Sequence, residues 1–216
     1  MNPQYILVVA VVIIMGWFAF GVIYNLRRGD TLLKWMQGGL PDIGQKTTFR
    51  WLGTSVAELV IAHAKKPFRR LETLVVLKPR DVFWMTIAAY FQGRDDIVIF
   101  RAQLSTAPPV DIELGDSKTW SGRNALKQVS ERKWESKTYQ GLQLMAPMGL
   151  LDLATTTLDR LALPMQKLSS RYERLSLRRG EPNLELHVPF PDYRTLDAKL
   201  YFETLRELAR SISERD

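Results

Sequence analysis

The sequence contains no cysteine and only two histidines in 216 residues. The absence of cysteine excludes disulfide bonds, thiolate zinc sites and cysteine nucleophiles, and it fits a reducing compartment. Three motifs that mark common enzymes are also missing, namely Gly-x-Ser-x-Gly, His-Glu-x-x-His and Gly-x-Gly-x-x-Gly. With 46% hydrophobic and 25% charged residues, the composition excludes a wholly disordered chain and a multi-span membrane protein.

Charged side chains are absent from the first 24 residues. Residues 5–24 form an apolar run that, as a helix, would reach about 30 Å, the thickness of the hydrocarbon core of a bilayer. A helix satisfies its own backbone polar groups and can therefore cross a medium without water. Tyr5 and Tyr24, at the two ends of the run, are typical interfacial anchors. The sequence predicts a transmembrane anchor over residues 1–24.

Three other interpretations of this run are disfavoured. A signal peptide carries a basic n-region and a small-residue cleavage site, and the sequence has neither. A buried globular helix is rarely apolar on every face over such a length, and a membrane-surface helix has a polar face. Arg27, Arg28 and Lys34 follow the run against a single Asp30, and cationic side chains resist translocation. We therefore expect a cell-membrane protein with its N-terminus outside and residues 25–216 in the cytoplasm.

Residues 25–45 are predicted to form a juxtamembrane amphipathic segment and linker. Arg27, Arg28 and Lys34 would face lipid phosphates while the apolar side chains rest in the headgroup region. A simple helix extension or linker explains the segment equally well. Gly38 and Gly39 are expected to end the helix. The apolar side chains concerned are Leu32, Leu33, Trp35, Met36 and Leu40.

From residue 46 onward, short apolar runs alternate with helical patterns, which predicts a cytoplasmic α+β domain over residues 46–216. Hairpin connections favour mixed or antiparallel pairing over a doubly wound parallel sheet. The order strand, proline, helix, strand, turn, strand occurs twice, which is consistent with two β-α-β-β units plus a C-terminal helix. The two halves would be 46–116 and 139–216. Because α+β domains often reuse this order, a true duplication stays open.

Two segments have unusual composition. Residues 115–138 are polar, basic and poorly periodic, and they are predicted to form a loop with at most a short helix over 124–131. Residues 82–91, by contrast, contain Thr86 as their one polar side chain. A helix that is apolar on all sides is normally buried between layers, and ten residues are too few to cross a bilayer. We expect this helix inside the domain.

Residues 39–47 nearly match a phosphate-binding P-loop, but Gln45 is inserted between the second glycine and Lys46. The insertion moves the amine out of register, and strands are predicted to follow where a P-loop needs a helix. A glycine-rich linker is therefore the better interpretation. A metal site needs three or four converging ligands, and the sequence has no close-spaced set of His or Cys. We predict no catalytic, cofactor-binding or metal-binding residues.

A hydrolase with dispersed catalytic residues is an alternative function. Its candidates are His63 and His187, together with Asp111 and Glu113, which share one strand face about 7 Å apart, a spacing seen between glycosidase carboxylates. The same pattern is typical of packed or solvated strand residues. No motif in the sequence favours the hydrolase over that interpretation, so a non-enzymatic function is favoured and the question of an enzyme stays open.

Basic residues cluster at 65–80, at 123–137 and at 171–179, and the net charge is +7. Near an anionic leaflet each exposed cation gains about 1 kcal/mol. The same residues could bind nucleic-acid phosphates, or they could be ordinary solvated strand ends. The predicted contacts with an anionic surface are Arg27, Arg28, Lys34, Lys65, Lys66, Arg69 and Arg70.

The sequence thus predicts a single-pass membrane-anchored protein with a basic cytoplasmic α+β domain. The expected function is that of a non-enzymatic interaction or scaffold module at the inner membrane face. Its expected partners are the lipid bilayer, anionic headgroups, and another protein or a second copy of the chain. The alternatives are a membrane-tethered hydrolase and a membrane-anchored nucleic-acid binder, and nucleic acid is the least favoured partner.

Overall fold

The structure, a computed structural model, describes residues 3–213. Its first element, α1 (Pro3–Met36), is one uninterrupted helix of 34 residues, about 51 Å long at 1.5 Å per residue. By length and composition α1 can span a membrane. Every side chain from residue 3 to residue 20 is exposed, so the domain does not cover this apolar run.

The second half of α1 packs against the domain. Leu32 and Met36 are 0% exposed and belong to the main hydrophobic core. The prediction that these side chains rest among lipid headgroups is therefore wrong, because the sheet supplies the apolar contact they need. A second helix, α2 (Leu40–Ile43), follows the end of α1, and Ile43 is also fully buried.

Nine strands form a single sheet in which every neighbouring pair is antiparallel, which confirms the α+β prediction. The last two strands in the chain pair with each other as an antiparallel hairpin. In chain order the remaining elements are β1 (Gly44–Trp51), β2 (Val56–Ala64), β3 (Phe68–Val76), α3 (Phe83–Phe91), β4 (Ile97–Leu104), β5 (Ile112–Gly115), α4 (Trp120–Ser130), β6 (Trp134–Tyr139), β7 (Leu142–Pro147), α5 (Leu151–Leu168), β8 (Arg174–Leu177), β9 (Leu184–Pro189) and α6 (Ala198–Ser213).

The spatial order of the strands is β1-β2-β3-β4-β9-β8-β5-β7-β6. Strands from both predicted halves therefore join one continuous sheet. The halves are not arranged alike, because β4 lies directly beside β3 whereas β5 separates β8 from β7. The sheet has two edges, β1 and β6, and the side chains of both strands are mostly exposed.

Alternation along the strands gives the sheet two chemically different faces. Leu184, Leu186 and Val188 of β9 are fully buried in the main core, which also contains side chains of α5, α6 and the end of α1. Glu185 and His187 lie between them in sequence and point to the opposite face. That second face is therefore where the sheet carries its polar side chains.

Helix α4 covers part of the second face. Leu126 and Val129 of α4 pack on Met145 of β7 in a small separate cluster. The short helix expected over 124–131 is present but begins earlier, as α4, whereas the predicted loop after it is wrong, because β6 begins at Trp134. Thr119 caps α4 by accepting a hydrogen bond from the Gly122 backbone N–H (3.1 Å). β6 lacks an apolar alternation because it is an exposed edge strand.

Helix α3 forms where it was predicted, but it is not buried between layers. Of its nine residues, Ala89 is the one that is buried. Tyr90 and Phe91 are 76% and 82% exposed. The core face of the sheet is already covered by α5 and α6, so α3 remains outside the layers, beside α1.

Candidate membrane-junction site

Helix α1 joins the domain at a buried polar cluster that begins directly after Tyr24. Asn25 is 0% exposed. Its Nδ2 donates to the Lys78 carbonyl oxygen (3.0 Å), and its Oδ1 accepts from Nη1 of Arg80 (3.1 Å). Arg80 also donates from both terminal nitrogens to the carboxylate of Asp96, each at 2.9 Å. The helix is therefore tied to the segment that follows β3.

Asp96 is the negative charge at the centre of this cluster. Its side chain is 5% exposed, Nε of Arg28 lies 2.8 Å from its Oδ2, and the Lys78 backbone N–H donates to its Oδ1 (2.8 Å). Burial acts to raise the pKa of Asp96, but the hydrogen bonds from Arg80 and Lys78 and the charges of Arg80 and Arg28 outweigh burial and lower it. Asp96 is therefore ionised at neutral pH, between two guanidinium groups.

Aromatic rings and a glycine complete the contact. Arg28 lies over the ring of Phe190, with the guanidinium carbon 4.3 Å from the ring centroid, and Arg80 lies over Tyr24 at 5.1 Å. A Cβ atom on Gly21 would stand 2.3 Å from the Arg80 carbonyl oxygen, so this close approach requires glycine. We call the cluster of Gly21, Asn25, Arg28, Arg80 and Asp96 the junction.

Three of the seven residues predicted to contact an anionic surface lie on α1. Arg27 and Arg28 are within about 6 Å of Tyr24 along the helix, and Lys34 is about 15 Å beyond it. Arg27 and Lys34 are exposed, whereas Arg28 is half-buried in the junction. Only Arg27 and Lys34 are therefore free to reach phosphates without breaking a buried ion pair.

The other four lie at the opposite end of β3. Lys65 and Lys66 belong to the connection between β2 and β3, and Arg69 and Arg70 follow at the start of β3. The nine residues of β3 place this end about 26 Å from the end that leads into the junction. Lys34 lines the same cavity as Pro41, whose carbonyl oxygen accepts from Nζ of Lys65 (2.8 Å). The structure thus places Arg27 and Arg28 near the junction, and the other predicted residues towards the far end of β3.

A second polar cluster lies on the sheet face that α4 partly covers. Glu113 is 0% exposed; it accepts from Nε of Arg174 (2.6 Å) and also pairs with Arg178. Arg174 donates from Nη1 to Glu185 (2.6 Å). Burial acts to raise the pKa of Glu185, but its hydrogen bond with His187 and the nearby cations lower it to about 2. These ion pairs engage Arg174 and Arg178, whose charges a nucleic-acid site would need for contacts with phosphates.

His187 also meets Ser121, a residue to which no sequence pattern pointed. Nδ1 of His187 lies 2.5 Å from Oγ of Ser121, and Nε2 lies 2.8 Å from Oε1 of Glu185. Burial lowers the pKa of His187 in spite of the Glu185 carboxylate, so the ring is neutral at pH 7. Because Nε2–H donates to Glu185, Nδ1 accepts a hydrogen bond from the Ser121 hydroxyl. Sequence reasoning missed this contact because 66 positions separate the two residues.

This Ser–His–Glu chain is a buried brace between α4 and β9. Ser121 and His187 are each 6% exposed. Two cavities adjoin Glu185, with volumes of about 430 and 370 Å³, and neither is lined by Ser121 or His187. A nucleophilic hydroxyl needs space for a reacting atom about 3 Å away. Neither of these two cavities therefore gives a substrate access to the Ser121 hydroxyl.

The other hydrolase candidates are not joined to this chain. His63 is exposed on β2, opposite Gln45 of β1, and Asp111 accepts the Arg179 backbone N–H (2.7 Å). Within residues 3–213, no group of three His, Asp or Glu side chains could hold a metal ion. The P-loop-like segment leads into strand β1, as predicted, whereas a phosphate-binding loop leads into a helix.

No protein-family model matches this chain, and no curated protein matches it either. The function must therefore be inferred from the residues themselves. The junction is where the long apolar helix, a buried ion pair and exposed cations meet.

Proposed function

We propose that this is a single-pass membrane-anchored protein whose domain lies in the cytoplasm and acts as a non-catalytic interaction or scaffold module. One observation carries the proposal. Helix α1 runs without a break from its exposed apolar half into the domain core, and the junction ties the two parts at Asn25. A domain attached in this way has no flexible tether, so the same surfaces face the bilayer and the cytoplasm at all times.

The flanking charges support this orientation. Arg27 and Lys34 are exposed three and ten residues beyond Tyr24, the last residue of the apolar run. We infer that Arg27, the nearer of the two, contacts anionic headgroups for about 1 kcal/mol. Lys65 and Lys66 lie about 26 Å away along β3, and we leave them out of the lipid contact.

The second face of the sheet supports a protein partner. It carries a cavity of about 430 Å³ whose lining includes Arg70, Glu72, Arg101, Glu181 and Glu185. Arg101 pairs with Glu185 at 3.1 Å and lies 3.9 Å from Glu72. A surface with both charge signs favours a protein of complementary charge over nucleic acid, whose phosphates would meet the carboxylates.

Cysteine labelling tests the anchor and its orientation, because the chain has no native cysteine. Asn2→Cys places a thiol before the apolar run, and Ser117→Cys places one on the exposed turn before α4. A membrane-impermeant maleimide added to intact cells should label position 2 at once and position 117 only after permeabilisation. Labelling of position 117 in intact cells contradicts the proposed orientation.

Site-specific photo-crosslinking tests the interaction module in the full-length chain. A photoreactive residue at Gln103, on the second face, should give one discrete cross-linked species. The matched position Lys199 is exposed on α6, on the other side of the sheet, and should give none. A species of twice the chain mass would identify a second copy as the partner. The same adducts from both positions, or none from Gln103, would count against a specific partner surface.

A further inference from the structure

Helix α3 presents a large apolar surface outside the layers of the domain. Trp84, Tyr90 and Phe91 are 68%, 76% and 82% exposed. Apart from the Tyr90 hydroxyl and the Trp84 indole N–H, Thr86 carries the one polar side-chain group among its nine residues. A helix that is apolar on all sides needs an apolar environment, and soluble domains rarely expose contiguous apolar patches. The domain does not supply that environment, so something outside it must.

This surface is continuous with the apolar half of α1. Trp17 packs edge to face on Phe83, with ring centroids 5.1 Å apart. A mostly apolar groove of about 700 Å³ lies between the two helices, with Ile14 and Phe18 on the α1 side and Trp84 on the α3 side. Its one charged lining residue, Asp81, accepts a hydrogen bond from the Thr54 hydroxyl (2.6 Å). The two helices therefore form one apolar surface.

The contact between Trp17 and Phe83 indicates how deep in a bilayer α3 would begin. Trp17 precedes Tyr24, the last residue of the apolar run, by seven residues, or about 10 Å along the helix. With the run in a bilayer, α3 begins about 10 Å inside the level of Tyr24, where acyl chains lie. Its nine residues reach about 14 Å, which is too short to cross. Arg80 before α3 and Arg94 after it both pack on the rest of the protein, so α3 enters and leaves on the same side.

The polar groups around α3 are compatible with a position of the helix among acyl chains. The Thr86 hydroxyl donates to the Pro79 carbonyl oxygen (2.8 Å), so it does not depend on water. Arg94 and Arg123 lie near the C-terminal end of α3, where Nη2 of Arg123 donates to the Gln92 carbonyl oxygen (2.8 Å). Cations at the end of an apolar helix are within reach of lipid phosphates.

We propose that α3 is a monotopic helix inserted into the inner leaflet beside the transmembrane segment, so that lipid acyl chains cover its exposed side chains. This inference rests on the proposed function, because it needs the apolar half of α1 to lie in a bilayer. Lipid is the occupant because the exposed face of α3 is continuous with the lipid-facing surface of that segment. Two membrane contacts, α1 and α3, also fix the rotation of the domain about the membrane normal.

Fluorescence quenching tests the insertion in the full-length chain, reconstituted in vesicles of phosphatidylcholine and phosphatidylglycerol. Single cysteines from Tyr90→Cys, Ile14→Cys and Met148→Cys carry an environment-sensitive fluorophore. Met148 is the matched control, because it is apolar and 70% exposed but lies on the loop after β7. Labels at positions 90 and 14 should be quenched about threefold more by nitroxide on the lipid acyl chains than by a water-soluble nitroxide. The label at position 148 should show the reverse.

The three labels separate the failure of this proposal from the failure of the anchor. If the label at position 90 behaves like that at 148 while position 14 stays lipid-quenched, α3 is outside the leaflet and the proposal is overturned. If position 14 is also quenched from water, the proposed anchor fails as well. A label at position 90 that neither quencher reaches would show that a protein or a second copy covers α3, which also overturns the lipid assignment.

Discussion

Replacing Asp96 by asparagine should lower the free energy of unfolding of the full-length protein by about 3 kcal/mol. The carboxylate accepts three hydrogen bonds, two from Arg80 at 2.9 Å and one from the Lys78 backbone N–H at 2.8 Å, and it pairs with Arg28. Removing one partner from a buried ion pair costs about 3–5 kcal/mol. The side chains of Arg28 and Arg80 are 32% and 23% exposed, so water can hydrate them in part once the carboxylate is removed. The expected cost is therefore at the lower end of that range. Asparagine keeps the volume, so packing does not contribute.

Urea unfolding in detergent micelles, followed by tryptophan fluorescence, measures this cost. Asp95→Asn is the matched control, because Asp95 is 51% exposed and makes one ion pair with Lys78 (2.9 Å). We expect it to change the free energy of unfolding by less than about 0.5 kcal/mol. Because the pKa of Asp96 is lowered, its contribution is present above the ordinary value of 3.8 and is lost as the pH falls through the lowered pKa. Equal stabilities for the Asp96 and Asp95 variants at pH 7 would refute the idea that the junction is held by a buried charge.

Three further predictions concern other parts of the molecule. Burial raises the pKa of Glu173 from its ordinary value of 4.5 to about 7. Protonation of this carboxyl therefore stabilises the folded state fully below pH 4.5, and the stabilisation is lost as the pH rises through 7. Glu173→Gln should therefore raise the melting temperature at pH 8 more than at pH 5, and a shift independent of pH would contradict this. Gly21→Ala should destabilise the chain by about 1–3 kcal/mol in the urea assay, because its Cβ would meet the Arg80 carbonyl, whereas Gly16→Ala has open space and serves as the control. Comparable losses in both variants would exclude close packing as the cause. A fluorophosphonate probe should leave Ser121 unmodified by mass spectrometry, since it is 6% exposed, and labelling at this serine would restore the hydrolase alternative.

Elements with a strong local pattern were predicted well. Residues 97–104 form a strand, as their content of β-branched and apolar residues indicates. The face of α6 formed by Tyr201, Leu205, Leu208 and Ile212 is 5% exposed or less, as helical periodicity indicated. In both cases a residue's environment follows from its neighbours in the chain.

Elements that depend on position within the sheet were predicted poorly. β6 is a polar edge strand whose partner, β7, supplies the hydrogen bonds that define it, and its own side chains carry no alternation. The apolar composition of α3 predicted a helix correctly but also predicted burial in the domain. Its exposure depends on which other helices already cover the sheet.

The candidate site could not be predicted from the sequence. Asn25 and Arg80 are 55 positions apart, and neither belongs to a motif. Ser121 and His187 are 66 positions apart and likewise belong to no motif. The basic group at 65–70 was an attractive candidate for lipid contact because its charge is dense, but charge density along the chain does not report distance from the membrane.

The sequence by itself determined the long apolar helix, most of the strands and helices, and the α+β class, because hydrophobicity and periodicity act between residues that are close in the chain. Only the tertiary structure decided that α1 continues into the core, that Asp96 lies between two arginines beside it, and that α3 stays outside the layers. Those outcomes depend on the order of nine strands in space, which brings distant residues to one place and leaves others uncovered.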